Sequence, residues 1–339
     1  MNKTLYLLTG AAGNLGSSVA RQLVAQGREV RALVLKGDPA AERVPPEVEV
    51  LVGDITDKAS LAHFFEGCEG RDLVVIHCAS IVTVSPDFNA KVLEVNVEGT
   101  RNVIDKCLEY KVRKLVYVSS TGAIPELAKG KAIAEVDRYD PDLVIGFYGK
   151  TKAEASQAVL DAVRDRGLDA SIVCPTGIAG PGDYAYGPVA SFIIDYVKGG
   201  MPAGVAGSFN AADVRDLAAG VIACCDKGRK GESYILGNEC VSMGEMFRLV
   251  SAASGAKEVT TILPVWLARA MAFLAGLSGR VTGRKPKLTT FSIYNLDRNN
   301  VFSSEKARRE LGYSSRPFDE TIADTVDWLK SEGKIGGAA

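Results

Sequence analysis

Histidine is nearly missing from this chain. His63 and His77 are the only two in 339 residues, they stand far apart, and neither belongs to a Glu-x-x-His pattern, so neither a catalytic zinc nor any other metal is expected. His77, in Ile76-His77-Cys78-Ala79, reads as strand filler. A surplus of positive charge is lacking too. With a net charge of −1 and an isoelectric point near 6.2, the chain has no basic field for nucleic acid or anionic lipid, and the expected partner is a small molecule. The seven cysteines (Cys68, Cys78, Cys107, Cys174, Cys224, Cys225, Cys240) include no C-x-x-C, and most lie in apolar runs, as small buried hydrophobes of a reducing compartment do. Long hydrophobic runs are absent. Met1–Leu8 is too short for a signal peptide, and Leu263–Leu277 is short for a membrane span and is broken by Pro264 and Arg269. The expectation is a cytoplasmic protein with an amphipathic helix at 263–277.

What is present is enough for a full core, 47% apolar and 24% charged residues, and apolar runs of strand length alternate with helical periodicity. Strands are predicted at Thr4–Leu8, Glu29–Leu35, Glu47–Val52, Leu73–Cys78, Lys114–Ser119 and Ala170–Cys174. Helices are predicted from Asn14, over Asn89–Tyr110 and over Tyr148–Arg166. This alternation predicts an α/β fold, a doubly wound parallel sheet of Rossmann type with helices on both faces. After Pro175 the stretch Gly180–Pro188 reads as a long loop. A helix at Asp213–Cys225 and a strand at Glu232–Leu236 return to the sheet, and Ser303–Gly312 reads as a serine-capped short helix.

Thr9-Gly10-Ala11-Ala12-Gly13-Asn14-Leu15-Gly16 joins the first strand to the first helix. A dinucleotide pyrophosphate at that place meets free backbone N–H groups and the positive end of the helix dipole. Gly10 permits the tight turn, Gly13 the approach to phosphate, and Gly16 close packing of helix on strand. The spacing is G-x-x-G-x-x-G, and the cofactor expected is NAD(P). At the end of the second strand, where an NAD site offers a carboxylate, stand Leu35 and Lys36; this favours NADP(H) and leaves NAD(H) open through Asp38. Asp54, in Gly53-Asp54-Ile55, is placed either to accept from the adenine amino group or to cap a helix, a role for which Thr56 and Asp57 are equally placed.

Tyr148 and Lys152 are one helical turn apart and can face one way. A phenol with its ordinary pKa of about 10 is a poor base, and an adjacent ammonium stabilises the phenolate, which makes proton exchange with a substrate oxygen feasible. Tyr110 and Lys114 share the spacing, but a helix end and a strand start fall between them. Ser119-Ser120-Thr121 follows a strand at the carboxyl edge of the sheet, where open α/β sheets bind ligands.

Together, Thr9-Gly10-x-x-Gly13-x-x-Gly16, Gly53-Asp54, Val118-Ser119-Ser120 and Tyr148-x-x-x-Lys152 resemble the extended branch of the short-chain dehydrogenase/reductase superfamily, the NAD-dependent epimerase/dehydratase type. His77-Cys78-Ala79-Ser80, Asn96–Val103, Pro175-Thr176-Gly177-Ile178 and Asp213–Ala218 extend the likeness. Within that branch, Gly283-Arg284-Lys285-Pro286 and Lys306–Tyr313 are similar to the dihydroflavonol 4-reductase and 3β-hydroxysteroid dehydrogenase group. The resemblance implies Tyr148 as acid/base, Lys152 as the group that lowers its pKa and holds the nicotinamide ribose, Ser120 as the carbonyl-orienting hydroxyl, and Asn96 in a water-linked proton relay. It also implies cofactor contacts from Thr9, Gly10, Ala12, Gly13, Asn14, Leu15, Gly16, Lys36, Asp54, Ile55, Ala79, Ser80, Pro175, Gly177 and Ile178, and a homodimer. Cys174 stands where relatives commonly carry arginine.

The expected division is a dinucleotide-binding domain at 1–177 with roughly 211–238, and a smaller, mostly helical substrate subdomain at 178–210 and 239–335. The substrate wall is expected from the loop Ala179–Met201, with Tyr184, Tyr186, Phe192 and Ile193, from the Pro264–Leu277 helix, and from Thr83, Ser85 and Thr121. These residues point to hydride transfer on a ketone or secondary alcohol of a lipophilic or ring-bearing molecule. A nucleotide-sugar epimerase shares the same apparatus, and a non-catalytic dinucleotide sensor is the alternative from another class.

Overall fold

The computed structural model describes residues 4–282 and 289–336. Gly283-Arg284-Lys285-Pro286 lies outside the described residues. In chain order come β1 (Leu5–Thr9), α1 (Asn14–Ala25), β2 (Glu29–Val34), β3 (Glu49–Val52), α2 (Lys58–Phe65), β4 (Leu73–His77), α3 (Ala90–Leu93), α4 (Gly99–Glu109) and β5 (Lys114–Val118). They are followed by α5 (Phe147–Arg166), β6 (Ala170–Pro175), β7 (Gly177–Ala179), α6 (Pro188–Val197), β8 (Gly204–Val205), β9 (Ser208–Asp213), α7 (Val214–Lys227) and β10 (Ser233–Leu236). The last elements are β11 (Cys240–Ser242), α8 (Met243–Ser254), β12 (Ile262–Leu263), α9 (Val265–Thr282), α10 (Thr290–Asp297), α11 (Glu305–Leu311) and α12 (Phe318–Ser331).

Seven strands form one sheet in the order β3-β2-β1-β4-β5-β6-β10, and every neighbouring pair is parallel. Strand β1 is buried along its whole length, and its alternate side chains feed two cores. Leu5 and Leu7 pack with α2, α4 and α5, while Tyr6 and Leu8 pack with α1 and α7. The strand order reverses between β1 and β4, and at such a switch point the carboxyl ends of the strands splay to leave a crevice.

The helix predicted over Asn89–Tyr110 is one helical run whose middle, Glu94–Glu98, widens into a π turn. The Thr100 hydroxyl donates to the Asn96 carbonyl at 2.7 Å and so competes for that helical acceptor. The region after Pro175 is more ordered than a loop. It holds β7 and α6, and β7 pairs with β9 and β9 with β11 in a separate small sheet. A third core joins α6, α8 and α12, and Phe192 and Ile193, expected in the substrate wall, belong to it: Ile193 is fully buried and Phe192 stacks on Phe247 at 5.8 Å. Ser304 occupies the cap position of α11 without capping it. Its hydroxyl accepts instead from the Gly237 N–H at 2.9 Å. Tyr110 ends α4 and Lys114 begins β5, bonded to Asp169 at 2.7 Å, so this pair shares no helix.

Candidate active site

The crevice at the switch point is a cleft of about 260 Å³. Thr9, Gly10, Ala12, Gly13, Asp54, Ile55, Ala79 and Ser80 line it, together with Leu33, Leu35, Asp38, Gly53, Cys78, Ile81, Lys91 and Val95. Gly10 has φ +75°, and a Cβ there would lie 2.6 Å from the Ala79 nitrogen; a Cβ on Gly16 would lie 2.0 Å from the Gly10 carbonyl oxygen. Only glycine fits either position. No side chain caps α1, its first turn carries no acid, and the helical ladder begins with Ser17 N–H to Gly13 O at 2.8 Å. The N–H groups of Asn14, Leu15 and Gly16 therefore precede the ladder, and Asn14 Oδ1 is buried without a partner. An anionic pyrophosphate fits this helix end.

Around the cleft, Asp54 accepts from the Thr56 N–H at 2.8 Å, and Asp57, not Asp54, caps α2. The Asp38 carboxylate accepts from the Ala40 N–H at 2.9 Å. Lys36 is exposed and does not line the cleft. Pro175 lies at the end of β6, and Gly177 and Ile178 pair with Ala211 and Ala212 of β9, outside the cleft lining.

The catalytic candidates converge at the carboxyl ends of β4 and β5. Tyr148, in the first turn of α5, faces Ser120 and Ser80; burial pushes its phenol up to about 12, and the two serine hydroxyls act the other way. Lys152 is 1% exposed and donates to the Val118 carbonyl at 2.8 Å. Burial lowers its pKa to about 8, with Cys78 and Cys174 acting the other way. The ammonium is turned toward the end of β5. Ser80 thus meets Tyr148 as well as the cleft. Its place at the end of β4, beside Ser120 at the end of β5, was the signal for that second contact.

Four expected site residues have other work. Both ends of the Asn96 amide are engaged: Oδ1 accepts from the Ile81 N–H at 2.8 Å, and Nδ2 donates to Ile81 O at 3.0 Å and to Thr151 Oγ1 at 3.1 Å. The Asn96 amide thus holds the loop after β4 against α5. Thr121 donates to the Pro175 carbonyl at 3.3 Å and ties two strand ends together. Tyr184 meets Trp328 edge-on at 5.4 Å with the Arg43 guanidinium 3.5 Å over its ring, and Tyr186 stacks on Trp328 at 5.9 Å with Lys334 4.8 Å away. The two tyrosines bind α12 to the rest of the chain. Thr83 and Ser85 bond each other, Ser85 N–H to Thr83 Oγ1 at 3.1 Å.

Among the described residues no group of His, Cys, Asp and Glu is gathered to hold a metal ion, and no helix is long and apolar enough to cross a membrane. A parallel sheet with a glycine cradle at its switch point and a Ser-Tyr-Lys group beside it defines an extended short-chain dehydrogenase/reductase. The sequence profile of the NAD dependent epimerase/dehydratase family matches residues 6–237, and the chain belongs to that family, whose enzymes depend on NAD(P). The chain is 31% identical over 334 residues to the sterol demethylase protein B of Methylococcus capsulatus, covering 97% of this chain and 99% of that one. It is 28% identical over 334 residues to a putative dihydroflavonol 4-reductase of Synechocystis, covering 97% and 96%. The crystal structure of gox2253 superposes with a TM-score of 0.84 at 33% identity, over 98% and 99% of the two chains.

Proposed function

We propose that this chain transfers a hydride, with NADP(H) as cofactor, between the nicotinamide and a ketone or secondary alcohol of a lipophilic, ring-bearing small molecule. The observation that carries the substrate class is the hydrocarbon rim beside Tyr148. Val82, Val84 and Phe88 on the loop after β4 are 64%, 68% and 69% exposed, and Leu143 and Ile145, just before α5, are 63% and 58% exposed. The two loops meet where Phe88 packs edge-on against Phe147 at 5.1 Å. Water-exposed apolar side chains gathered at a site favour an apolar ligand. The relatives named for a sterol and a dihydroflavonol are in keeping with this reading.

The bound nicotinamide supplies or takes the hydride. The N-terminus of α1 would hold its pyrophosphate. Ser120 and Tyr148 present hydroxyls to the substrate oxygen, Tyr148 gives or takes the proton, and Lys152 keeps a positive charge beneath them. Holding the reactants in one geometry supports roughly 7–11 kcal/mol of barrier reduction. Leu35 at the end of β2, with the Asp38 carboxylate turned to Ala40, supports the NADP(H) preference, with Lys36 as the cation for the 2′-phosphate. The division into a dinucleotide domain and a substrate subdomain at the boundaries given above is part of the same proposal.

The test is a panel of steroid, flavonoid and quinone-like carbonyl compounds with NADPH and with NADH. Turnover of apolar ketones with NADPH preferred, and that preference reduced in Lys36→Ala, is the expected result. Activity on nucleotide sugars alone, with NAD retained through purification, would replace it with an epimerase.

A further inference from the structure

A buried chain of hydrogen bonds runs from the residue before the glycine turn to the residue that carries the phenol. The Ala79 N–H donates to Thr9 Oγ1 at 3.3 Å, and Thr9 Oγ1 lies 2.7 Å from His77 Nδ1. On the other side of the ring, His77 Nε2 lies 3.0 Å from Thr100 Oγ1, which donates to the Asn96 carbonyl at 2.7 Å. The Asn96 amide donates to Thr151 Oγ1 at 3.1 Å, and Thr151 donates to the Tyr148 carbonyl at 2.8 Å. Thr9, Asn96, Thr100 and Thr151 are each 1% exposed and His77 is fully buried.

The proton positions follow from the partners. Thr100 has one hydroxyl hydrogen and gives it to Asn96, so it accepts from His77, and Nε2 carries the ring proton. Nδ1 is then an acceptor and receives the Thr9 hydroxyl hydrogen. A cationic ring, with two N–H groups, would have to donate to Thr9 Oγ1 and turn the hydroxyl hydrogen away from Nδ1. Burial, with the charge of Lys152 adding to it, holds the imidazole neutral by lowering its pKa to about 3, and the nearest ring, Tyr117, is 5.6 Å away.

We infer that His77, as the neutral Nε2–H tautomer, is a positioning residue that locks the glycine turn receiving the cofactor to the π turn and helix that place Tyr148. The inference rests on the reading of Gly10–Gly16 as the cofactor turn and Tyr148 as the proton donor. Its distinctive consequence is that Thr100, which does not line the cleft, affects both cofactor affinity and turnover.

The experiment compares Thr100→Val, which keeps the shape and removes the hydroxyl, with Thr100→Ser, which restores it. NADPH affinity is measured by calorimetry, and kcat with the best carbonyl substrate of the panel. Thr100→Val is expected to weaken NADPH binding about tenfold and lower kcat by about tenfold or more, with Thr100→Ser recovering most of both. In a His63→Gln background, ¹⁵N spectra of the remaining imidazole are expected to show the Nε2–H tautomer without titration from about pH 5 to about pH 9. A Thr100→Val protein that melts earlier but keeps NADPH affinity and kcat would overturn the inference, as would an Nδ1–H or titrating His77. If the parent turns over no carbonyl compound, the proposed activity falls, and the affinity and tautomer arms still decide the role of His77.

Discussion

The Lys152 ammonium donates to the main-chain carbonyl of Val118, 2.8 Å away, inside the protein. Helix α5 and strand β5 are therefore joined by a buried charge, and that charge carries a pH signature. In the unfolded chain the lysine titrates at its ordinary 10.5, in the folded protein at about 8, so between these values the unfolded chain binds more protons. Stability should climb from pH 8 to pH 10.5 through this group, be fully present above 10.5, and be lost as pH falls through 8. Urea unfolding of the parent and of Lys152→Met across that window is the check; the difference between them should grow with pH.

Tyr148→Phe removes the hydroxyl and leaves the ring in place. Turnover is expected to fall about 10²–10⁴-fold, as loss of acid catalysis does, with NADPH affinity kept within about twofold. Equal losses in both would place the tyrosine in cofactor binding instead.

Gly10→Ala puts a methyl 2.6 Å from the Ala79 nitrogen, on a backbone with φ +75°. The left-handed conformation alone costs a non-glycine residue roughly 1–2 kcal/mol, and the clash adds to it. Loss of measurable dinucleotide binding, together with a lower melting temperature, is the expected outcome of titration and thermal unfolding.

Val84→Asp and Tyr184→Ala separate the substrate rim from the aromatic pile on α12. The first should raise KM for apolar ketones by tenfold or so, near the roughly 1–3 kcal/mol of a changed hydrophobic contact, with stability unchanged. The second should cost about 1–3 kcal/mol of stability, as other losses of packing do, with KM unchanged. Steady-state kinetics and denaturant unfolding of both variants distinguish the two surfaces.

Much of the fold was legible because the central strands of the sheet are nearly unbroken apolar runs and the turn after β1 carries its own chemistry. Leu5–Thr9 and Leu73–His77 lie within one residue of where hydrophobicity placed them, and the glycine turn and the tyrosine-lysine pair stand out by spacing. Contacts between distant segments were not legible. Nothing near Tyr184 shows that its ring faces Trp328 and Arg43, and nothing near Asn96 shows that its amide holds Ile81 and Thr151. Aromatic and amide side chains suit a ligand and a core alike, and only the fold decides between them. The π turn was hidden for the same reason, since Thr100 within a helical pattern does not reveal where its hydroxyl donates.

The stack of Arg43, Tyr184 and Trp328 bears on how the molecule comes together. It joins a segment near the beginning of the described chain to its last helix, with ring centroids 5.4 Å apart at the tyrosine–tryptophan step. Contacts of such separation require the loops between them to close, at a cost in chain entropy. Arg43 and Tyr184 thus reach their final neighbours only once Phe318–Ser331 has docked, and Trp328, set between two tyrosines, is a natural clock for that closing event in refolding.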